Sequence, residues 1–417
     1  MSCNIKIELI PEEARVKIDN DLHLKIVDEK YNKTKDFCPH QIEDDNIYLP
    51  FSFAYSELKF KRTSRNDSMI MNAVFTAELR DEQKVVKAES LAILNKTGSV
   101  IISCFCGFGK SITAINICCA IKLKTLIVVN KIVLMTQWQE AINQFCPEAT
   151  CTKVTTKLKE TGLPESDFYI VNAINVPKFG REFFRNIGCC VMDEVHLLMA
   201  EQLSNLANYV YPRYLLGLSA TPYRTDGYNI LLDLYFGKDR VIREMYRKHT
   251  VYKINTNFTP KMSYTDGGKV IWSSVLESQA KDEKRNELII DIIKKHSDRM
   301  FLVLVKRVDH GKYLLKRLLE DGEDATSLLG SNQTFNKESR ILIGTGQKVG
   351  TGFDHSKLDA LLFASDFEAY SIQTIGRVFR TKDKEPIIFD LVDNNGILMK
   401  HYKTRLEIYK KSGGVIM

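Results

Sequence analysis

The stretch Cys104-Phe105-Cys106-Gly107-Phe108-Gly109-Lys110-Ser111 holds residue types whose spacing suits a phosphate. Gly107 and Gly109 let backbone N–H groups approach an anion closely. A helix starting at Lys110 would add the partial positive charge of its N-terminus. Lys110 can reach β- and γ-phosphates, and the Ser111 hydroxyl can ligate Mg²⁺. The chemistry is that of a nucleoside triphosphate site, with ATP and Mg²⁺ as its expected ligands. Further on, the apolar run Cys189-Cys190-Val191-Met192 ends in Asp193-Glu194. Asp193 can hold the metal shell, and Glu194 can orient and deprotonate an attacking water. Their strand is therefore expected beside the phosphate loop. Arg377 and Arg380 are three apart, hence on one helix face, where they could neutralise charge developing on a γ-phosphate. Taken singly, adjacent acids are common in loops and paired arginines are commonly solvated. The weight lies in finding all of them in one chain.

The elements that must position these residues alternate between strand and helix. The apolar run at residues 100–102 leads into the loop, and residues 112–121 have helical spacing. Residues 125–129 read as a buried parallel strand, with Asn130-Lys131 at its C-terminal end, where α/β sheets place ligand contacts. A strand ending at Asn172 and another ending at Ser219-Ala220-Thr221 follow. A second βα series contains the run 300–305, capped by Lys306-Arg307. It also contains runs at 340–345 and 360–364, the helix bearing Gln373 to Arg380, and a last strand at 386–390. The expected class is α/β, with two tandem halves of parallel sheet flanked by helices. The expected divisions are 1–66, a small mainly-β or mixed amino-terminal module with a DNA-binding role in view; 67–226, the ATP-binding half; 227–283, a connection; and 284–417, the second half with a basic C-terminal helix at 400–411. Lys59, Lys61, Arg62 and Arg65 form a basic run that reads as a phosphate contact or as a solvated linker.

The 417 residues, 44% apolar and 27% charged, describe an ordinary globular composition. A net charge of +7 permits a polyanionic partner without demanding one. No apolar run approaches a membrane span, and the amino terminus has no signal-peptide character. The ten cysteines contain no C-x₂-C pair, so free thiols in an intracellular, reducing compartment are expected rather than zinc or disulfides.

In order and spacing, these motifs resemble those of a superfamily 2 helicase or translocase over residues 78–392. Arg80 and Gln83 resemble the adenine-reading Q motif, and Cys104 to Ser111 the short motif I, with Cys104 where the general pattern has Gly. Asp193-Glu194-Val195-His196 resembles motif II, and Ser219-Ala220-Thr221 motif III. Gly350-Thr351-Gly352-Phe353-Asp354 resembles motif V, and Gln373 to Arg380 motif VI. The DEVH spelling, with Asn130-Lys131 and Gln137-Trp138, is similar to the XPB-like branch that includes viral transcript-release and phage branch-migration helicases. The branch's inserted thumb and Arg-Glu-Asp signature are missing between the halves, so its strand-separation details do not carry over. The resemblance implies two RecA-like P-loop lobes that hydrolyse ATP while gripping one strand of a duplex, with 3′→5′ movement. It implies catalytic roles for Lys110, Asp193, Glu194, Gln373, Arg377 and Arg380, and Mg²⁺ held by Ser111 and Asp193. Nucleotide contacts would come from Arg80, Gln83, Cys106, Gly107, Phe108, Gly109, Lys110, Ser111, Ile112, Gly352 and Asp354. Nucleic-acid backbone contacts would come from Asn130, Lys131, Asn172, Lys306, Arg307 and Thr345. His196, Ser219 and Thr221 would couple the two. The implied partner is DNA (double-stranded, forked or single-stranded), bound by a monomer beside viral or phage transcription or replication proteins. An ATP-switched clamp or scaffold, or an RNA helicase, is the alternative reading.

Overall fold

The computed structural model describes all residues except 29–32, 63, 65, 106, 200–204, 221–227, 333, 350–354, 368–375 and 377–383. The chain forms two compact units, Met1–Arg243 and Glu244–Met417.

In the first unit the apolar runs become parallel strands: β1 (Ser99–Cys104), β2 (Thr125–Val129), β3 (Cys151–Val154), β4 (Phe168–Asn172), β5 (Cys189–Met192), β6 (Tyr214–Ser219) and β7 (Arg240–Arg243). They lie in the order β7-β1-β6-β5-β2-β4-β3. Every pairing in the sheet is parallel. Successive side chains serve opposite faces: Ile101 joins one core, while Val100 and Ile102 join the other. Burial on both faces explains why these strands read as continuous apolar runs instead of alternating ones. Each fully buried aliphatic contributes about 1.5–3 kcal/mol.

The second unit holds β8 (His249–Asn255), β9 (Phe301–Val305), β10 (Ala325–Leu328), β11 (Ile341–Thr345), β12 (Ala360–Phe363), β13 (Ile387–Val392) and β14 (Gly414–Ile416). Their order is β14-β8-β13-β12-β9-β11-β10, again all parallel. Adding seven to each label of the first sheet yields the second, so both units follow one permutation of strands. The two similar halves expected from the sequence are thus alike in topology, as RecA-like lobes are.

Two stretches take different places from those expected. The amino-terminal residues form a three-stranded antiparallel sheet (Ser2–Lys6, Asn46–Pro50, Gln41–Glu43) and a hairpin (Leu24–Asp28 with Lys33–Phe37). They do not stand apart: Met1, Leu24, Ile26 and Phe51 share one apolar core with Ile101, Leu126 and Val128. Arg181 fastens the joint, its guanidinium 3.7 Å from the Tyr48 ring centroid and its Nη2 donating to Gln41 Oε1 at 3.0 Å. The stretch expected as a connection supplies a strand to each sheet, β7 beside β1 and β8 beside β13. Short β7, with only Val241 fully buried, has too little periodicity to be read in sequence. The C-terminal helix, Gly396–Lys411, turns Tyr402, Arg405 and Tyr409 inward, so its basic composition does not make it a solvated basic helix.

Candidate nucleotide and nucleic-acid site

The loop after β1 turns through Gly107 (φ +87°) and Gly109 (φ +89°) into the helix Lys110–Ile121. Both angles lie where side chains with a Cβ are strained. A Cβ on Gly109 would also stand 2.5 Å from Gln83 Nε2. Gln83, at the start of the helix Asp81–Thr97, clasps this loop: Nε2 donates to the Phe108 carbonyl at 2.9 Å, and Oε1 accepts from the Arg80 N–H at 3.0 Å. The Arg80 guanidinium also donates to the Phe108 carbonyl. Both ends of the Gln83 carboxamide are therefore engaged within the chain, and Gln83 is 4% exposed. These bonds shape the loop. Lys110 Nζ lies over the same loop, donating to the Cys104 carbonyl at 3.0 Å. Ser111 and Ile112 fill the first helical turn, where N–H groups and the helix dipole favour an anion. Cys106 lies outside the described residues. The Cβ-free turns, the amine and the hydroxyl are a donor set that fits the phosphates of ATP.

The acidic pair comes to the same edge, but not directly beside the loop as expected. β6 separates β5 from β1, because β1 takes β6 and β7 as its two neighbours. Along the edge the order is therefore loop, Ser219, Asp193. Asp193 is buried; Oδ2 accepts the indole N–H of Trp138 at 2.9 Å, and Oδ1 accepts the Glu194 N–H at 3.0 Å. Burial first, and then neighbouring Glu194, push its carboxyl up to about 6, against the opposing pull of the Trp138 bond and Lys110. A buried acid receiving hydrogen bonds from two neutral donors is a site for a cation, and with Ser111 it fits Mg²⁺. Glu194 adopts a left-handed conformation (φ +50°), uncommon for a residue with a side chain and often found at functional sites. His196 Nδ1 lies 3.5 Å from Glu194 Oε2 and 2.9 Å from Ser219 Oγ, so of the expected coupling residues His196 and Ser219 are in contact, beside Glu194. Thr221 lies outside the described residues, as do Gly352, Asp354, Gln373, Arg377 and Arg380.

Sequence reasoning missed Trp138 as an orienting group. Gln137-Trp138 was noticed only as a family signature, and no periodicity links a helix residue to an acid on another strand.

The candidate nucleic-acid residues occupy matching positions in the two units. β2 and β4 are neighbours with Val129 opposite Asn172, and β9 and β11 are neighbours with Val305 opposite Thr345. Asn130-Lys131 follows β2, and Lys306-Arg307 follows β9, its counterpart. Their present bonds differ. Asn172 Oδ1 accepts from the Ile174 N–H at 3.2 Å, capping the next turn. Arg307 is held by Asp309, with Nη2 2.6 Å from Oδ2. Lys306 Nζ sits 5.3 Å from the Phe367 ring centroid, and Lys131 is exposed at the start of the helix Ile132–Phe145.

A chain of two parallel-sheet units, one carrying a phosphate loop, an acidic pair and a clasping glutamine, is a nucleoside-triphosphatase of the tandem RecA-like class. Comparison with known proteins narrows this. Residues 76–224 match the family described as "Type III restriction enzyme, res subunit". The 161L helicase-class protein of Invertebrate iridescent virus 6 is 42% identical over 440 residues, covering 100% of this chain and 99% of that protein. The transcript termination protein A18 of Yaba-like disease virus is 26% identical over 80% of this chain and 77% of its own length. Among solved structures, S. cerevisiae Dbp5 bound to RNA and ADP BeF3 superposes with a TM-score of 0.57 at 13% identity, covering 80% of this chain and 89% of that one. That likeness is one of fold. The chain belongs to the superfamily 2 helicases, alongside those of large DNA viruses, and is a nucleic-acid-dependent ATPase.

Proposed function

We propose that this protein is an ATP-driven motor that moves 3′→5′ on duplex or branched DNA in viral transcription, replication or recombination. The observation that carries the reading is the repeated edge geometry. Each unit sets residues at or just past the ends of two adjacent strands, β2 with β4 and β9 with β11, at one topological position. Two equivalent sets of this kind suit the repeating backbone of one nucleic-acid strand, giving contacts to phosphate and sugar that are salt-dependent and indifferent to sequence. Lys110 and the loop N–H groups bind the phosphates of ATP, Glu194 takes the proton of the attacking water, and His196 and Ser219 link the acid to the neighbouring strand. Ser111 and Asp193 would hold Mg²⁺, which would offset phosphate charge. Gly352, Asp354, Gln373, Arg377 and Arg380 take their family roles from the motifs alone, the two arginines as fingers on the γ-phosphate. DNA is favoured over RNA on the DEVH spelling of motif II and the Gln137-Trp138 motif.

Steady-state ATPase with no polymer, single-stranded DNA, duplex DNA, forked DNA and RNA in parallel tests the reading. Stimulation is expected with duplex or forked DNA. Stimulation by RNA alone would replace DNA with RNA as the partner, and no stimulation by any polymer would favour a clamp.

A further inference from the structure

At the end of the first sheet opposite the phosphate loop there is a second concentration of positive charge. A depression of about 680 Å³ is lined by Lys59, Lys61, Arg62, Lys96 and Arg213, with Tyr55 and Phe60 among its walls. The volume is of the size that holds a ligand group. Thr97 and Arg213, also on its lining, stand two residues before β1 and one before β6, whereas the nucleotide loop follows β1. With six residues of β1 between them, the two sites stand about 20 Å apart along the sheet.

The depression is built, not a chance meeting of flexible lysines. Gly98 (φ +84°) ends the helix Asp81–Thr97, and the Arg62 side chain lies where a Cβ would be, its Cδ 2.7 Å from that position. Arg62 Nη1 and Nη2 donate to the carbonyls of Leu94 and Asn95, each at 3.1 Å, which fixes the guanidinium over the helix end. Arg62 and Arg213 also approach the same Tyr214 ring, at 5.3 and 5.7 Å from its centroid. Among the described residues, none that lines the depression is acidic. Asp239 stands 3.9 Å from Lys96 Nζ, but both side chains are more than half exposed, so the pair is weak. Cations gathered around one concavity without a lining carboxylate repel one another, and an entering anion relieves that repulsion. Aromatic walls add surface on which an unpaired base can stack.

We propose that this depression is a second nucleic-acid contact, holding phosphates of the backbone at the edge of the first unit away from the ATP site. The inference takes nucleic acid as the partner from the proposed function and is independent of the ATP chemistry. It assigns the basic run to phosphate contact instead of to a solvated linker. The seam between the amino-terminal residues and the first sheet would then be where DNA is held while the strand-end residues at the opposite edge act on it.

The test is equilibrium binding of a fluorescent duplex and a single strand, without nucleotide, across a salt series. Wild type is compared with Lys61→Glu/Lys96→Glu and the milder Lys61→Gln/Lys96→Gln, with melting curves checking the fold of each. Arg62 is left intact because it holds the helix end. Removing two phosphate contacts should lower the slope of log K against log salt by about 2 on duplex DNA. The glutamate pair should weaken low-salt binding at least tenfold, with the glutamine pair between it and wild type. Inorganic phosphate should compete weakly and a nucleic-acid polymer strongly. If wild type binds and both variants match its affinity and slope, this contact is overturned while the motor reading stands. If wild type binds neither DNA nor RNA, the motor reading falls with it. Lost binding to polyglutamate with unchanged nucleic-acid binding would assign the surface to an acidic protein and overturn the inference.

Discussion

Asp193→Asn should stabilise the magnesium-free protein increasingly as pH rises. The Asp193 carboxyl is raised from 3.8 to about 6, by burial first and then by Glu194. Between those values the folded state binds more protons than the unfolded one, so stability falls as pH increases. The penalty is absent below about pH 4 and complete above about pH 7. At about 1.4 kcal/mol for each tenfold change in proton affinity, its full size is about 3 kcal/mol. Asparagine removes this titration but has a single acceptor oxygen, so either the Glu194 N–H or the Trp138 indole N–H is left facing an amide NH2, at a cost of about 1–3 kcal/mol that does not vary with pH. The absolute offset between variant and wild type therefore depends on that bond, whereas the change in offset across pH isolates the carboxylate. For a unit of this size, at about 2–4 °C per kcal/mol, the melting-temperature difference should swing by about 6–12 °C in the variant's favour between pH 4 and pH 8. Thermal melts in EDTA buffers measure it. A difference constant with pH would refute the reasoning, because Asp193 would then titrate alike in both states. Adding Mg²⁺ with a non-hydrolysable ATP analogue should raise the wild-type melting temperature and shrink the gap.

Gly109→Ala should weaken ATP binding at least tenfold, since it combines a strained backbone costing about 1–2 kcal/mol with a contact on Gln83; a nucleotide titration reads it. Gln83→Ala should raise the KM for ATP more than it lowers kcat, and should cost about 1–3 kcal/mol of stability by orphaning the Arg80 N–H, while the Phe108 carbonyl keeps the Arg80 guanidinium as a donor. The double variant should bind ATP better than Gly109→Ala alone, because the blocking atom is gone; additive losses would show that the backbone angle, not the clash, dominates. Glu194→Gln should retain ATP binding while polymer-stimulated kcat falls 10²-fold or more, and near-normal turnover would remove it as the base.

The strands and the loop were legible because buried parallel strands are continuous apolar runs and because glycine and lysine spacing is local. Contacts made across the sheet were not. The placement of β6 between β1 and β5 depends on crossover topology, the Trp138–Asp193 bond on two distant elements, and the Gln83 clasp on how a helix packs against a loop. Asn172 looked like a ligand residue at a strand end, yet it caps the next turn; the same carboxamide serves either purpose, and sequence position does not distinguish them. Arg405 lies in the basic C-terminal helix, yet its Nη2 is 2.7 Å from buried Asp390 Oδ1. An arginine paired in the core leaves no mark on composition.

The shared strand permutation makes the difference between the units chemically readable. β8 occupies the position of β1, but Thr256-Asn257-Phe258-Thr259 follows it and no glycine loop does. Beside it, past the end of β13, Asp393 accepts from Thr256 at 2.6 Å, Gln279 at 2.6 Å and Arg285 at 2.9 Å. β12 occupies the position of β5, and the acid past its end, Asp366, is matched by Arg405 at 3.3 Å and His401 at 2.6 Å. In the second unit these buried acids have internal cationic partners, and breaking such a pair costs about 3–5 kcal/mol. Among the described residues, Asp193 has only neutral donors at hydrogen-bond distance, and burial and then Glu194 raise its proton affinity. A metal cation reaching Asp193 supplies what Arg405 already supplies to Asp366. Among the described residues, the corresponding strand end thus pairs its acid with a protein cation in the second unit and with neutral donors in the first.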